Sequence, residues 1–203
     1  MDYRRFLLKD KRLAPVIRQL PEVTIEKRNK IYLRLCASIL SQQLSVQVAR
    51  TLYSRFLNLY GGKEPRLEQI LETPPETFRS IGFSEAKSRY VHNVCSFFRE
   101  HDLKDARLHR MEDSEIIDLL TQIKGVGRWT AEMILMFSLG REDVFAVDDL
   151  GIRNAMVRIY GLNETDRRKL TERIIRISDE WSPFRTYACR YLWMSKDMNI
   201  VVS

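Results

Sequence analysis

The stretch "QIKGVGRWTAEMILMFSLG", residues 122–140, sets Gly125 and Gly127 just ahead of a long apolar run with helical spacing. Glycine leaves the backbone bare and accepts positive φ. Amides at such a corner, with those of the first turn of the next helix, form a site for an anion. A phosphate suits it, because backbone N–H groups hold phosphate oxygens without reading a base. Lys124 and Arg128 flank the turn and add charge attraction. The plainer reading is a corner that only turns the chain, and Gly-Val-Gly alone does not separate the two. The second chemical feature is the acid pair Asp148-Asp149, which follows "DVFAV" at the mouth of another helical segment. The commonest task for Asp there is to cap the helix, and the helix N-terminus favours the ionised carboxylate. Cys36, Cys95 and Cys189 are far apart with no CxxC spacing, and His92, His101 and His109 form no HExxH pattern. A cysteine-built zinc or iron–sulfur site is therefore not expected.

The elements that must carry these residues read as helices throughout. Residues 3–8 and 13–20 give short amphipathic pieces, interrupted by Pro15 and closed by Pro21. Residues 27–41 place Ile31, Leu35, Cys36 and Ile39 on one face. Ser45 then opens a segment with Val48, Leu52, Phe56 and Leu59 at three- and four-residue steps, closed by Gly61-Gly62. Pro74-Pro75 starts a short helix to about residue 80. Ser84 caps the next, which carries Tyr90, Val94, Phe97 and Phe98. Asp113 or Ser114 caps "SEIIDLLTQI". Helices over about 128–139 and 149–160 follow, then one from Thr165 and a last one opened by Pro183. The expectation is an all-α fold of about ten helices. Its charge of +7 favours a polyanionic partner, most often nucleic acid. The N-terminal residues lack the uninterrupted apolar core of a signal peptide, and no run approaches the roughly 18 apolar residues of a membrane span. A soluble intracellular protein is expected.

Four motifs in order carry a family resemblance. "LLTQIKGVGRWTAEMILMFSLG" followed by "DVFAVDDLGIRNAM" resembles the helix–hairpin–helix (HhH-GPD) DNA glycosylase superfamily, and within it the DNA-3-methyladenine glycosylase II branch. "ASILSQQLSVQVA" (37–49) resembles the DNA-wedge loop of that branch. "IGFSEAKSRYVHNV" (81–94) matches its next helical turn, and "WSPFRTYACRYLW" (181–193) its final helix. Together they span residues 37–193.

The resemblance implies two helical lobes, 28–140 with six helices and the hairpin, and 1–27 with 141–203, with an active-site cleft between them. It assigns the catalytic carboxylate to Asp149, leaving Asp148 to cap or pack. Cleavage of an N-glycosidic bond develops positive charge on the sugar, which a fixed carboxylate stabilises while it orients or deprotonates water. Trp129 and Trp193 fall at aromatic base-pocket positions, with Met133 and Leu150 lining the same pocket. Indole faces suit cationic alkylated purines such as 3-methyladenine and 7-methylguanine; a Trp on an apolar helix face is otherwise a core residue. Gln43 or Leu44, with Gln42 nearby, would fill the gap left by the flipped nucleotide. Lys124, Gly125, Val126, Gly127, Arg128 and Thr130 would meet DNA at the hairpin, and Lys87 and Arg185 would meet phosphate, brace the cleft, or lie as solvated charges. The position of the lyase lysine of bifunctional relatives is Trp129, which cannot form a Schiff base. The expectation is therefore a monofunctional glycosylase of base excision repair. It would act as a monomer on duplex DNA with no iron–sulfur cluster, with a monovalent cation implied at the hairpin carbonyls. It would be cytoplasmic in a bacterium or nuclear in a eukaryote. The alternatives are a non-catalytic module for distorted DNA and a glycosylase for uracil or oxidised bases.

Overall fold

The computed structural model describes residues 2–197. The chain divides into two compact units, Lys27–Ile134 and Met1–Glu26 with Leu135–Ser203. In chain order the helices are α1 (Tyr3–Leu7), α2 (Ala14–Gln19), α3 (Ile31–Ser41), α4 (Val46–Asn58), α5 (Leu67–Glu72), α6 (Pro75–Ser80), α7 (Glu85–Glu100), α8 (Asp105–Leu108), α9 (Asp113–Leu120), α10 (Arg128–Phe137), α11 (Leu150–Tyr160), α12 (Arg167–Asp179) and α13 (Arg185–Met194). A 3-10 turn, Ser195–Asp197, follows α13. Among the described residues there is no strand, and no helix is long and apolar enough to cross a membrane. The all-α expectation is met. The helices exceed ten because α5 and α8, of six and four residues, are too short to show a period of 3.6.

In the unit Lys27–Ile134, α3 packs against α7. Leu35, Cys36, Ile39 and Leu40 from α3 and Val91, Val94 and Cys95 from α7 are fully buried. Phe56, Phe78 and Phe83 form an aromatic cluster with ring centroids 5.4–6.0 Å apart. Helix α3 begins at Ile31, four residues later than its periodicity suggests. Lys30 is left-handed at φ 57°, and the carboxylate of Asp105 accepts the N–H groups of Lys30 and Ile31 at 2.6 and 3.0 Å. A cap supplied from 74 residues away leaves no local trace. Local caps do appear where expected: Ser45 accepts from Val48 N and Ser84 from Lys87 N. Helix α9 instead starts after Glu112, whose N–H donates to the Glu115 carboxylate at 2.9 Å, so neither Asp113 nor Ser114 is its cap.

In the other unit, α11 packs against α13, and Ile152, Met156, Ile159, Tyr191 and Leu192 are buried. Asp10 ties the N-terminal segment to it: its Oδ2 accepts from Tyr160 Oη at 2.6 Å and from Trp181 Nε1 at 2.8 Å. Burial, then the Asp10 charge and hydrogen bond, push the Tyr160 phenol far above its ordinary range, so it donates at any physiological pH. Tyr3 stacks on Tyr187 at 3.9 Å. Helix α12 is capped by Asp166, one residue past Thr165, through Lys169 N.

Candidate functional site

In the unit that holds α11 and α13, the acid pair resolves into two different residues. Asp149 is the N-cap of α11, in extended backbone at φ −68° and ψ 121°, and its Oδ1 accepts Ile152 N–H at 2.9 Å. The sequence reading leaves Asp148 to cap or pack and gives Asp149 the chemistry. The structure corrects this: Asp148 is exposed one residue upstream, and Asp149 does the capping itself. Capping does not disqualify Asp149, because a carboxylate at a helix N-terminus is both oriented and favoured in its charged form. The same Oδ1 accepts the indole N–H of Trp193 at 2.8 Å. Trp193, from α13, is half-buried, and its ring lies 5.5 Å from that of Phe137. The Arg190 guanidinium sits 5.2 Å over the Phe137 ring. Leu150, beside the carboxylate, is 71% exposed.

Gly151 was not singled out in the sequence. A Cβ there would stand 3.1 Å from Asp149 Oδ1 and 3.2 Å from Trp193 Cδ1. The available signal was its place in "DDLG", since glycine inside a helix marks close approach when nothing else requires it.

Arg185 is held by Asp143 in a two-pronged pair, Nε to Oδ1 at 2.8 Å and Nη2 to Oδ2 at 3.0 Å, and Ser182 Oγ donates to the same carboxylate at 2.8 Å. Burial pushes the Asp143 carboxyl up, but the hydrogen bonds from Arg185 and Ser182 outweigh it and hold it below its ordinary value. The Asp143 hydrogen bond raises Arg185 in turn. Of the roles considered for Arg185, the geometry selects an internal brace at the start of α13.

In the unit Lys27–Ile134, the hairpin between α9 and α10 is built around Gly125, at φ +107°. A Cβ there would come within 2.3 Å of Tyr90 Cγ and 2.7 Å of Tyr90 Cβ, so α7 passes directly against the turn. Gly127 has open space around it and no positive φ. Side chains brace the turn: Asn93 Nδ2 donates to Lys124 O at 3.1 Å and Gln42 Nε2 to Gly125 O at 3.3 Å. The expected anion site is narrowed. Val126 is buried and its N–H bonds Ile123 O at 2.9 Å within the turn. Thr130 is 2% exposed. Both stand among the residues expected to meet DNA, and the packing of the corner leaves little of either at the surface. Lys124, Gly127 and Arg128 are exposed. Arg128 pairs with Glu132, Nε to Oε1 at 3.0 Å, and that carboxylate is almost wholly buried. Glu132 was hidden in the sequence by its apolar neighbours. Trp129 is 37% exposed at the start of α10, and Met133, one turn on, is half-buried.

The loop Gln42–Leu44 leaves α3 with Gln43 in a left-handed conformation at φ 59°. Leu44 is 38% exposed at the rim of a groove of about 490 Å³ that Val48, Leu52, Arg55, Gly82 and Lys87 also line. Lys87 is half-buried rather than a freely solvated charge. Its Nζ donates to Leu40 O at 2.8 Å and Gln42 O at 3.0 Å, capping the C-terminal end of α3, and burial lowers its pKa. Gln42 therefore links three parts of this unit, the end of α3, α7 through Lys87, and the hairpin.

Comparison with known proteins follows the same lines. The DNA-3-methyladenine glycosylase 1 of Schizosaccharomyces pombe is 33% identical over 180 residues, covering 88% of this chain and 77% of that protein. YfjP of Bacillus subtilis is 32% identical over 171 residues, 81% of this chain but 58% of its own length, so the chain spans little more than half of that relative. The S. pombe 3-methyladenine DNA glycosylase in complex with abasic DNA superposes with a TM-score of 0.84 at 31% identity, covering 98% of each chain. A DNA-3-methyladenine glycosidase of Bacillus halodurans superposes with a TM-score of 0.81 at 36% identity, covering 95% of this chain and 88% of the other. The family model for HhH-GPD superfamily base excision DNA repair protein matches residues 36–179, which include the loop Gln42–Leu44, the hairpin and Asp149. By that match and these relatives, the chain belongs to the HhH-GPD superfamily of base excision DNA repair proteins.

Proposed function

We propose that the chain is a monofunctional DNA glycosylase that hydrolyses the N-glycosidic bond of alkylated purines, of the 3-methyladenine and 7-methylguanine type, in duplex DNA. The observation that carries this is Asp149: a carboxylate anchored by a helix amide and an indole N–H, in a chain whose relatives bear the name of that activity. DNA is the partner, as it is for the S. pombe relative solved with abasic DNA. In this reading the lesion nucleotide leaves the base stack. As its glycosidic bond breaks, positive charge grows on the sugar, and the Asp149 carboxylate stabilises it and directs water to C1′. Cationic adducts already have a weakened bond, so one carboxylate without a general acid suffices. Trp129, 37% exposed, is the aromatic side chain we assign to the departing base. Leu44 is the side chain we assign to the gap left in the duplex, with Gln42 and Gln43 shaping its loop. Trp129 stands where a lyase would need lysine, so the product is an intact strand with an abasic site.

The hairpin supports phosphate binding through Gly127, Arg128 and Lys124. A monovalent cation there would take backbone carbonyl oxygens. Each carbonyl has two lone pairs, so the single amide donor on Lys124 O and on Gly125 O is compatible with such an ion. No step of the reaction needs it. Three cysteines cannot supply a four-cysteine cluster, so none is proposed. We place the protein as a monomer wherever the cellular DNA lies.

The test is base release from alkylated duplex DNA, analysed before and after alkali, for the parent and for Asp149→Asn. Release of alkylpurines, strand breaks only after alkali, and loss of release in the variant with DNA binding kept are expected. Release that survives Asp149→Asn would overturn the assignment of the carboxylate. No release from the parent would favour a module that binds damaged DNA without cleaving it.

A further inference from the structure

Trp193 and Asp149 come from α13 and α11, 44 residues apart, yet the indole N–H meets the carboxylate at 2.8 Å. The backbone N–H of Ile152 reaches the same oxygen at 2.9 Å. A single capping bond leaves the carboxylate plane free to turn about its own bonds. A second donor arriving from a different helix removes that freedom. The donor is itself fixed, because the Trp193 ring packs against Phe137 at 5.5 Å and 32°. Gly151 supplies the room. Its position in the first turn of α11 is a poor one for glycine on helix propensity, and no positive φ demands it. What demands it is the contact: a methyl group there would press on Asp149 Oδ1 at 3.1 Å and on Trp193 Cδ1 at 3.2 Å together. Contacts that close are tighter than ordinary van der Waals packing, so Asp149 or Trp193, the two members of one hydrogen bond, must give by a few tenths of an ångström.

We propose that Trp193 and Gly151 are positioning residues for Asp149, Trp193 acting through its indole N–H and Gly151 by leaving space for it. This rests on the reading of Asp149 as the carboxylate of the reaction. It gives Trp193 a different task from the base-stacking face that the family resemblance suggests. The indole edge serves the acid, whatever its face does.

The two tasks separate on substitution. Trp193→Phe keeps an aromatic face and loses the N–H. Gly151→Ala keeps both side chains and intrudes between them. Single-turnover base release and affinity for a duplex carrying a non-cleavable abasic analogue are measured for each, with thermal melting as the folding control. Both variants are expected to release base more slowly, on the order of tenfold, with affinity unchanged within about twofold. If Trp193→Phe unfolds the protein, Gly151→Ala still tests the claim, since it removes no contact. A parental rate in Trp193→Phe or in Gly151→Ala, while Asp149→Asn is inactive, would overturn the proposal and leave the proposed function standing. A parental rate in Asp149→Asn would instead remove the reading on which it rests.

Discussion

Gly125→Ala is the sharpest perturbation the hairpin offers. At φ +107° an L-residue is strained, at a cost of about 1–3 kcal/mol. The added Cβ would also lie 2.3 Å from Tyr90 Cγ and 2.7 Å from Tyr90 Cβ. Tyr90 Cβ is fixed by the course of α7, so a rotamer change that swings Cγ aside still leaves the 2.7 Å clash with Cβ. Either α7 or the turn must shift, and overpacking of that kind costs about 1–3 kcal/mol more. The sum, about 2–6 kcal/mol, is a large part of the roughly 5–15 kcal/mol that holds a domain folded. At about 2–4 °C per kcal/mol for a chain of this size, the melting temperature should fall by about 4–24 °C. Gly127→Ala is the matched control, because a Cβ there meets nothing within 4 Å. Its stability should stay within about 0.5 kcal/mol of the parent. Thermal unfolding followed by circular dichroism reads both, and DNA affinity is measured on each at one salt concentration. Loss of affinity in Gly127→Ala without loss of stability would report on the contact surface alone. A Gly125→Ala protein that melts within 2 °C of the parent, or two variants that lose stability equally, would refute the claim that Tyr90 makes this glycine obligatory.

Lys87→Met should strip the charged donor from Leu40 O and Gln42 O, costing about 1–2 kcal/mol for a partly exposed pair of bonds, and speed amide exchange over residues 41–45. Unchanged exchange there would show that the loop does not depend on Lys87. Asp143 has a folded-state pKa below its ordinary value, so its stabilising effect is present above the ordinary carboxylate range and lost as pH falls through the folded value. Asp143→Asn should therefore melt below the parent near pH 7, with the gap closing as pH falls through the lowered folded-state value, and a gap independent of pH would refute the Arg185 pair as its source. Lys124→Ala should reduce the slope of log affinity against log salt by about 1, whereas Thr130→Val, at a buried position, should leave that slope unchanged. Equal effects from the two would contradict the narrowed contact surface.

Much of the helix order was legible before any coordinates, because apolar spacing and capping residues are local. Ser45 and Ser84 begin α4 and α7 through bonds to residues three positions on. The start of α3 was not legible, since Asp105 caps it from α8. The acid pair was legible as a pair but not as individuals. Capping depends on which residue takes extended φ and ψ, and the chain pattern places that only to within one position. Among phosphate contact, a brace of the cleft and a solvated charge, the sequence does not choose for Lys87 and Arg185, because their partners lie 42–47 residues away.

The sequence by itself determined the all-α character, the glycine corner, the basic charge and the family to which these motifs belong, because each is written in neighbouring residues or in composition. Only the tertiary structure decided that Asp149 caps α11 while an indole from α13 holds the same oxygen. It alone showed that Gly125 yields to Tyr90 and Gly151 to Trp193. Those are contacts between atoms far apart along the chain, and a hydrogen bond or a steric clash depends on distance in space, which residue spacing does not contain.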